Sequence, residues 1–190
     1  MQRRNLLIAG FARKITLFAL IFLLSACAPL PLVAPTKIEP DLSPVQAAFE
    51  QTVNSALQDT GHNWHNGRIG NMIVNIWGGN NTGLCFHWQA LVYRGIQPAI
   101  QDTRWRATGI EVNRGTFFEH HAVLVYDPER VRLVGLLDNP RGQSAYVLDP
   151  WESGKASIYR LQDWLKKPVT IKVPAKLEDL RYLKLSNKAP

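Results

Sequence analysis

The chain changes character once, near residue 102, and that change limits the folds open to it. Before it, apolar residues recur at helical spacing; after it, β-branched and aromatic runs are separated by turns. Val45, Ala48, Phe49, Thr52, Val53, Ala56 and Leu57 line one helical face behind Ser43-Pro44, a cap candidate with proline at the first helical position, and Gly61 closes the run. Leu84, Trp88, Leu91 and Val92 form a second such face, ended by Gly95 and Pro98. Residues 72–77 are apolar but short, and read as a helix leading into Gly78-Gly79-Asn80-Asn81. Strands are expected at 104–112, 117–126, 131–137, 144–149 and 155–160, with turns at Pro128-Glu129 and Asn139-Pro140-Arg141-Gly142. Helices first and then an antiparallel meander make an α+β domain, with N-terminal helices packed on an antiparallel sheet.

The first 26 residues carry Arg3, Arg4, Arg13 and Lys14 without an acid, then an apolar run over 17–24, then Ser25-Ala26-Cys27. A positive start, a short apolar core and small residues before a cleavage point read as a secretory signal over 1–26. Leu24-Ser25-Ala26-Cys27 resembles the bacterial lipobox, which implies cleavage before Cys27 and lipidation of its thiol. Ala28, in place of the aspartate that retains many lipoproteins at the inner membrane, favours the outer membrane facing the periplasm. Residues 27–42 then contain Pro29, Pro31, Pro35 and Pro40 and read as a lipidated tether, followed by one domain over 43–184 and a tail over 185–190. Removing the four positive charges of the signal from a formal +7 leaves +3, and no stretch interleaves basic and stacking residues. A nucleic-acid partner is therefore not expected; the expected associations are with the membrane, through the lipid, and with a peptide or protein substrate.

Lipidation of Cys27 leaves Cys85 as the one thiol of an exported chain. It follows Asn80-Asn81-Thr82-Gly83-Leu84 and so falls at the first turn of the second helix. There the helix dipole and free backbone N–H groups favour a thiolate and, after attack on a carbonyl, an oxyanion. A nucleophilic cysteine ordinarily needs an imidazole, and the strand from Glu119 to Tyr126 offers His120 and His121 on opposite faces. His121 shares its face with Val123 and Val125, and His120 is the competitor. Asp149, closing the strand Tyr146-Val147-Leu148 ahead of Pro150-Trp151, is placed to orient the imidazole, with Asp138 as the alternative.

Gly83-Leu84-Cys85 at a helix start, His121-Ala122-Val123 on a strand and Leu148-Asp149-Pro150-Trp151 at a strand end together resemble the papain-like and transglutaminase-like cysteine superfamily. The resemblance covers roughly residues 77–151. It implies Cys85 as nucleophile, His121 as base and Asp149 as orienting residue, with a cysteine-bearing helix packed on the sheet that carries the other two. Leu-Cys-Phe-His departs from the Asp-Cys-Ser-Gly of cell-wall peptidases, and Asn-Thr-Gly from the Arg-Gly-Gly of arylamine N-acetyltransferases, so the likeness is to the superfamily rather than to either branch. The activity implied is cleavage or transfer of acyl groups at amide bonds, with no metal or organic cofactor.

Trp77 and Trp151 flank this site as pocket walls, Asn80 and Asn81 are oxyanion candidates, and Gly83 would let a substrate backbone approach. A metal reading of Cys85 and His87 is disfavoured, because residues two apart on a helix diverge and the second pair of a zinc motif is missing. Cys85 as an inert core thiol, in an envelope binding or assembly protein that keeps the fold without the chemistry, is the rival.

Overall fold

Pro44 opens the first helix, α1 (Ser43–Leu57), and its stripe of Val45, Phe49, Val53 and Ala56 is buried. The computed structural model describes residues 37–116, 118–166 and 174–181. The expected signal over 1–26, the expected lipidation site Cys27, most of the expected tether and the tail lie outside the described residues. Where the tether meets the domain, the chain is already part of the fold. Pro40–Leu42 form a 3-10 turn, Leu42 is fully buried, and the Glu39 carboxylate pairs with Arg104 at 2.7 Å and Arg130 at 3.2 Å. Asp41 adds a second pair to Arg104 at 2.7 Å. The packed domain thus begins a few residues before Ser43.

After α1 come β1 (Asn63–Trp64), α2 (Gly67–Trp77), β2 (Asn81–Thr82), α3 (Cys85–Gly95) and the short α4 (Gln97–Gln101). Residues 72–77 are helical as expected, and the helix starts five residues earlier. The β half then runs β3 (Arg106–Val112), β4 (His120–Tyr126), β5 (Ala145–Leu148), β6 (Ile158–Arg160), the one-turn α5 (Leu161–Trp164) and β7 (Lys176–Glu178). These five strands form an antiparallel sheet in the order β6-β5-β4-β3-β7. A two-stranded parallel pair, β1 with β2, stands apart. The mixed α+β class follows, with a helix-bearing half packed on an antiparallel sheet.

The expected strand over 131–137 does not form. Val131 and Leu136 are buried, but Val131 N–H closes a turn onto Asp127 O, and Gly135 adopts a left-handed φ of 77° that extended backbone excludes. The segment meets its apolar demand as a turn packed on the sheet. In its place the sheet recruits β7, whose three residues carry too short a pattern to register as a strand.

Strands β4 and β5 are apolar almost throughout because both faces are covered. Val123, Val125, Tyr146 and Leu148 pack with Phe49, Trp88, Val92 and Trp105 beneath α1 and α3. Ala122, Leu124 and Val147 pack with Ile110, Leu161 and Trp164 on the other side. Phe49 is central to the first cluster and fully buried, so Phe49→Ala is expected to lower unfolding free energy by about 3–5 kcal/mol in a urea titration.

Candidate functional site

The cysteine helix is placed by a close backbone crossing. His65 N–H donates to Thr82 O at 2.9 Å, and Trp88 of α3 donates its indole N–H to His65 O at 2.8 Å. Gly83 lies in that crossing with φ at 116°, and a Cβ on it would stand 2.0 Å from His65 O. The backbone that Gly83 admits is the chain's own, and not that of a substrate. His87, two residues after Cys85, is engaged in the same turn: Thr82 Oγ1 lies 2.9 Å from its Nδ1, and Gly83 N–H donates to that nitrogen at 3.3 Å. Burial lowers its pKa and favours the neutral ring, whose Nδ1 is taken up within this turn.

Cys85 is a free thiol, 5% exposed, and opens α3 as its first residue. Leu84 precedes it in the cap position, and its apolar side chain makes no capping bond. The N–H groups of the first helical turn, those of Cys85 and Phe86 among them, are thereby left without intrahelical acceptors. They suit an oxyanion formed at the sulfur's reaction partner.

Asp149 sits at the end of β5, almost fully buried, and it bonds His120 rather than His121. His120 Nε2 lies 2.8 Å from Asp149 Oδ2, and the same oxygen accepts the Trp164 indole N–H at 2.8 Å. Asp149 Oδ1 accepts the backbone N–H of Trp151 at 3.2 Å. A carboxylate has no proton to give, so Nε2 of His120 carries hydrogen. Its Nδ1 is buried and meets no conventional partner. The Cys85 thiol interacts with the same ring. Burial alone would lower the His120 pKa, but the charge and hydrogen bond of Asp149, with a contribution from Cys85, outweigh it and raise the value to about 10. Trp151 and Trp164 lie against the ring at centroid distances of 4.6 and 5.6 Å, and their π faces favour the imidazolium further.

His121 occupies a different charge system. Its Nε2 is 2.8 Å from Glu119 Oε1 and its Nδ1 is 3.2 Å from Glu178 Oε2. Burial opposes the cation, but Glu178 and Glu119 outweigh it and lift the pKa to about 9. Both ring nitrogens therefore face carboxylates, and neither is left to receive a thiol proton. This corrects the pairing of His121 with Asp149. Alternation does set His121 on the face of Val123 and Val125, but the ring is claimed there by acids from neighbouring segments. His120 opens β4 at the end of the sheet, where Trp151, a member of the same buried cluster as Cys85, covers it.

Of the remaining expected residues, Trp151 does form a wall of the site, held by its indole N–H to Asn71 Oδ1 at 2.9 Å. Trp77 is 67% exposed at the end of α2. Asn81 uses its amide within the turn, donating to Gly78 O at 2.8 Å and meeting His65 Nε2 at 2.9 Å, which leaves it unsuited to an oxyanion. Asn80 is exposed, and its carbonyl accepts Asn63 N–H. Asp138 lines a shallow surface pocket with Gln162 and Lys166. Trp164 is the site residue missed in the sequence; the signal for it was a tryptophan in an amphipathic segment whose indole N–H needs a buried acceptor.

No protein-family model matches this chain, and neither curated proteins nor solved structures give a significant match.

Proposed function

We propose that the domain is a thiol acyl-transfer site carried by an envelope lipoprotein, with Cys85 as nucleophile, His120 as base and Asp149 as the residue that orients the base. The observation that carries this reading is the Asp149–His120 bond at 2.8 Å, which leaves the opposite ring nitrogen buried and without a conventional partner, on a ring that interacts with the only described thiol. The thiol proton rests on His120 Nδ1, in the imidazolium that Asp149 favours, and the thiolate attacks a peptide or glutamine carbonyl. N–H groups at the start of α3 hold the oxyanion, and the imidazolium returns its proton to the leaving amine as the C–N bond breaks. Water or an amine then resolves the thioester. A cysteine helix on an antiparallel sheet that bears His and then Asp in chain order supports a transglutaminase- or papain-like arrangement. The Leu24-Ser25-Ala26-Cys27 string supports lipidation at Cys27, and Ala28 supports residence in the outer membrane.

The test is intact mass after incubation with activated peptide esters. Wild type is expected to gain one acyl group on Cys85, released by water or an added amine, and Cys85→Ala to gain none. Equal acylation of Cys85→Ala would sink the assignment. The 5% exposure of Cys85 favours a second reading, an envelope binding or assembly protein that retains the fold alone. A thiol that reacts only after denaturation would decide for it.

A further inference from the structure

Beside the thiol site, three adjacent strands bring Glu111 of β3, His121 of β4 and Glu178 of β7 together. Glu111 and His121 are direct cross-strand partners, and β7 pairs with the other edge of β3. One ligand-type atom from each of the three lies within 4.8 Å of the other two. The geometry points to a divalent transition-metal site formed by Glu111, His121 and Glu178, and we propose Zn²⁺ as its natural class of occupant.

The decisive atom is Glu111 Oε2. Glu111 is 1% exposed, its Oε1 is paired with Arg114 at 3.2 Å, and its Oε2 is buried with no hydrogen-bond partner. An orphaned carboxylate oxygen in the interior is a large penalty unless a positive group answers it. A proton on His121 Nδ1 answers Glu178, 3.2 Å away, and a proton shared between Glu111 and Glu178 would answer those two acids alone. A cation among the three answers all of them at once. The far nitrogen of His121 already has the partner that metal-bound imidazoles ordinarily have: Nε2 is 2.8 Å from Glu119 Oε1, which fixes the hydrogen there and aims Nδ1 at the site. Gln89 of α3 steadies the other side, its Nε2 donating to Glu178 Oε2 at 2.8 Å and to Ala122 O at 2.9 Å. One imidazole and two carboxylates suit Zn²⁺ better than the all-oxygen ions Ca²⁺ and Mg²⁺. The ion would fasten the three-residue edge strand β7 to the centre of the sheet.

The full-length chain, purified in mild detergent and stripped with chelator, is titrated with Zn²⁺ and its retained metal counted after gel filtration. One Zn²⁺ per chain is expected, held equally by Cys85→Ala, with Tm raised by about 5–10 °C at a hundredfold excess over Kd. Glu111→Gln and Glu178→Gln should each weaken binding about 100-fold or more, and Glu119→Gln by about 10–100-fold. Because a variant could fail for want of folding, Co²⁺ is added to wild type as well: visible d–d bands without a thiolate charge-transfer band support the site. Wild type that retains no metal, or metal that is lost in Cys85→Ala and kept in Glu178→Gln, overturns the proposal. None of these readouts depends on turnover, so failure here and failure of the acyl-transfer reading are distinguishable.

Discussion

Replacing His120 with alanine is expected to slow alkylation of Cys85 by about 10²–10⁴-fold, while His121→Ala stays within about tenfold of wild type. The two residues are neighbours on β4, so a nonspecific disturbance of the strand would affect both alike. Their rings differ in what they hold. His120 is oriented by one carboxylate, keeps its second nitrogen free of a conventional partner and interacts with the thiol, whereas His121 has a carboxylate on each nitrogen. Losing His120 removes the group that shares the thiol proton and balances the thiolate charge. Losing His121 changes the field at Cys85 without touching the proton path. The measurement is the pseudo-first-order rate with iodoacetamide at neutral pH, against a urea-denatured control. A reversed ranking would return the base assignment to His121.

Gly83→Ala is expected to lower stability by about 3 kcal/mol or more and to lower Tm by about 6–12 °C. Two faults arise together. The residue must keep φ near 116°, which an L side chain rarely adopts, and its Cβ would stand 2.0 Å from His65 O and 2.7 Å from His65 N. Both contacts are backbone, so no rotamer change relieves them. Moving His65 breaks its bond to Thr82 and the Trp88 indole bond, and those two set the height of α3 at Cys85. Alkylation of Cys85 should therefore change along with thermal unfolding. An unchanged Tm would mean that this crossing does not hold the helix.

The helix around Cys85, the strand with two histidines and Asp149 at the next strand's end were each legible because they are local. A Gly-led helix start, a β-branched run and an Asp before Pro are written within a few residues. The choice between His120 and His121 was not local. It depends on Glu178, which lies 57 residues beyond His121, and on the three-residue strand that delivers it. Periodicity tells which face a residue takes and says nothing of which ring already has partners. Residues 131–137 failed for the opposite reason. The apolar content was real, but Gly135 at φ 77° decided the backbone, and glycine composition alone does not announce a left-handed turn.

The sheet order has a consequence for the way the chain comes off the ribosome. Synthesis delivers Cys85, His120, Asp149 and Trp164 before any residue of β7, so the four strands β6-β5-β4-β3 are complete while β3 is still a bare edge. Such an edge invites pairing with another chain. Lys176–Glu178 close it from the far side of the sequence, pairing with residues made nearly 70 positions earlier. The last strand is thus the one that turns an assembled site into a molecule with a protected border, and a nascent chain halted before it would carry every relay residue and no guard against its own copies.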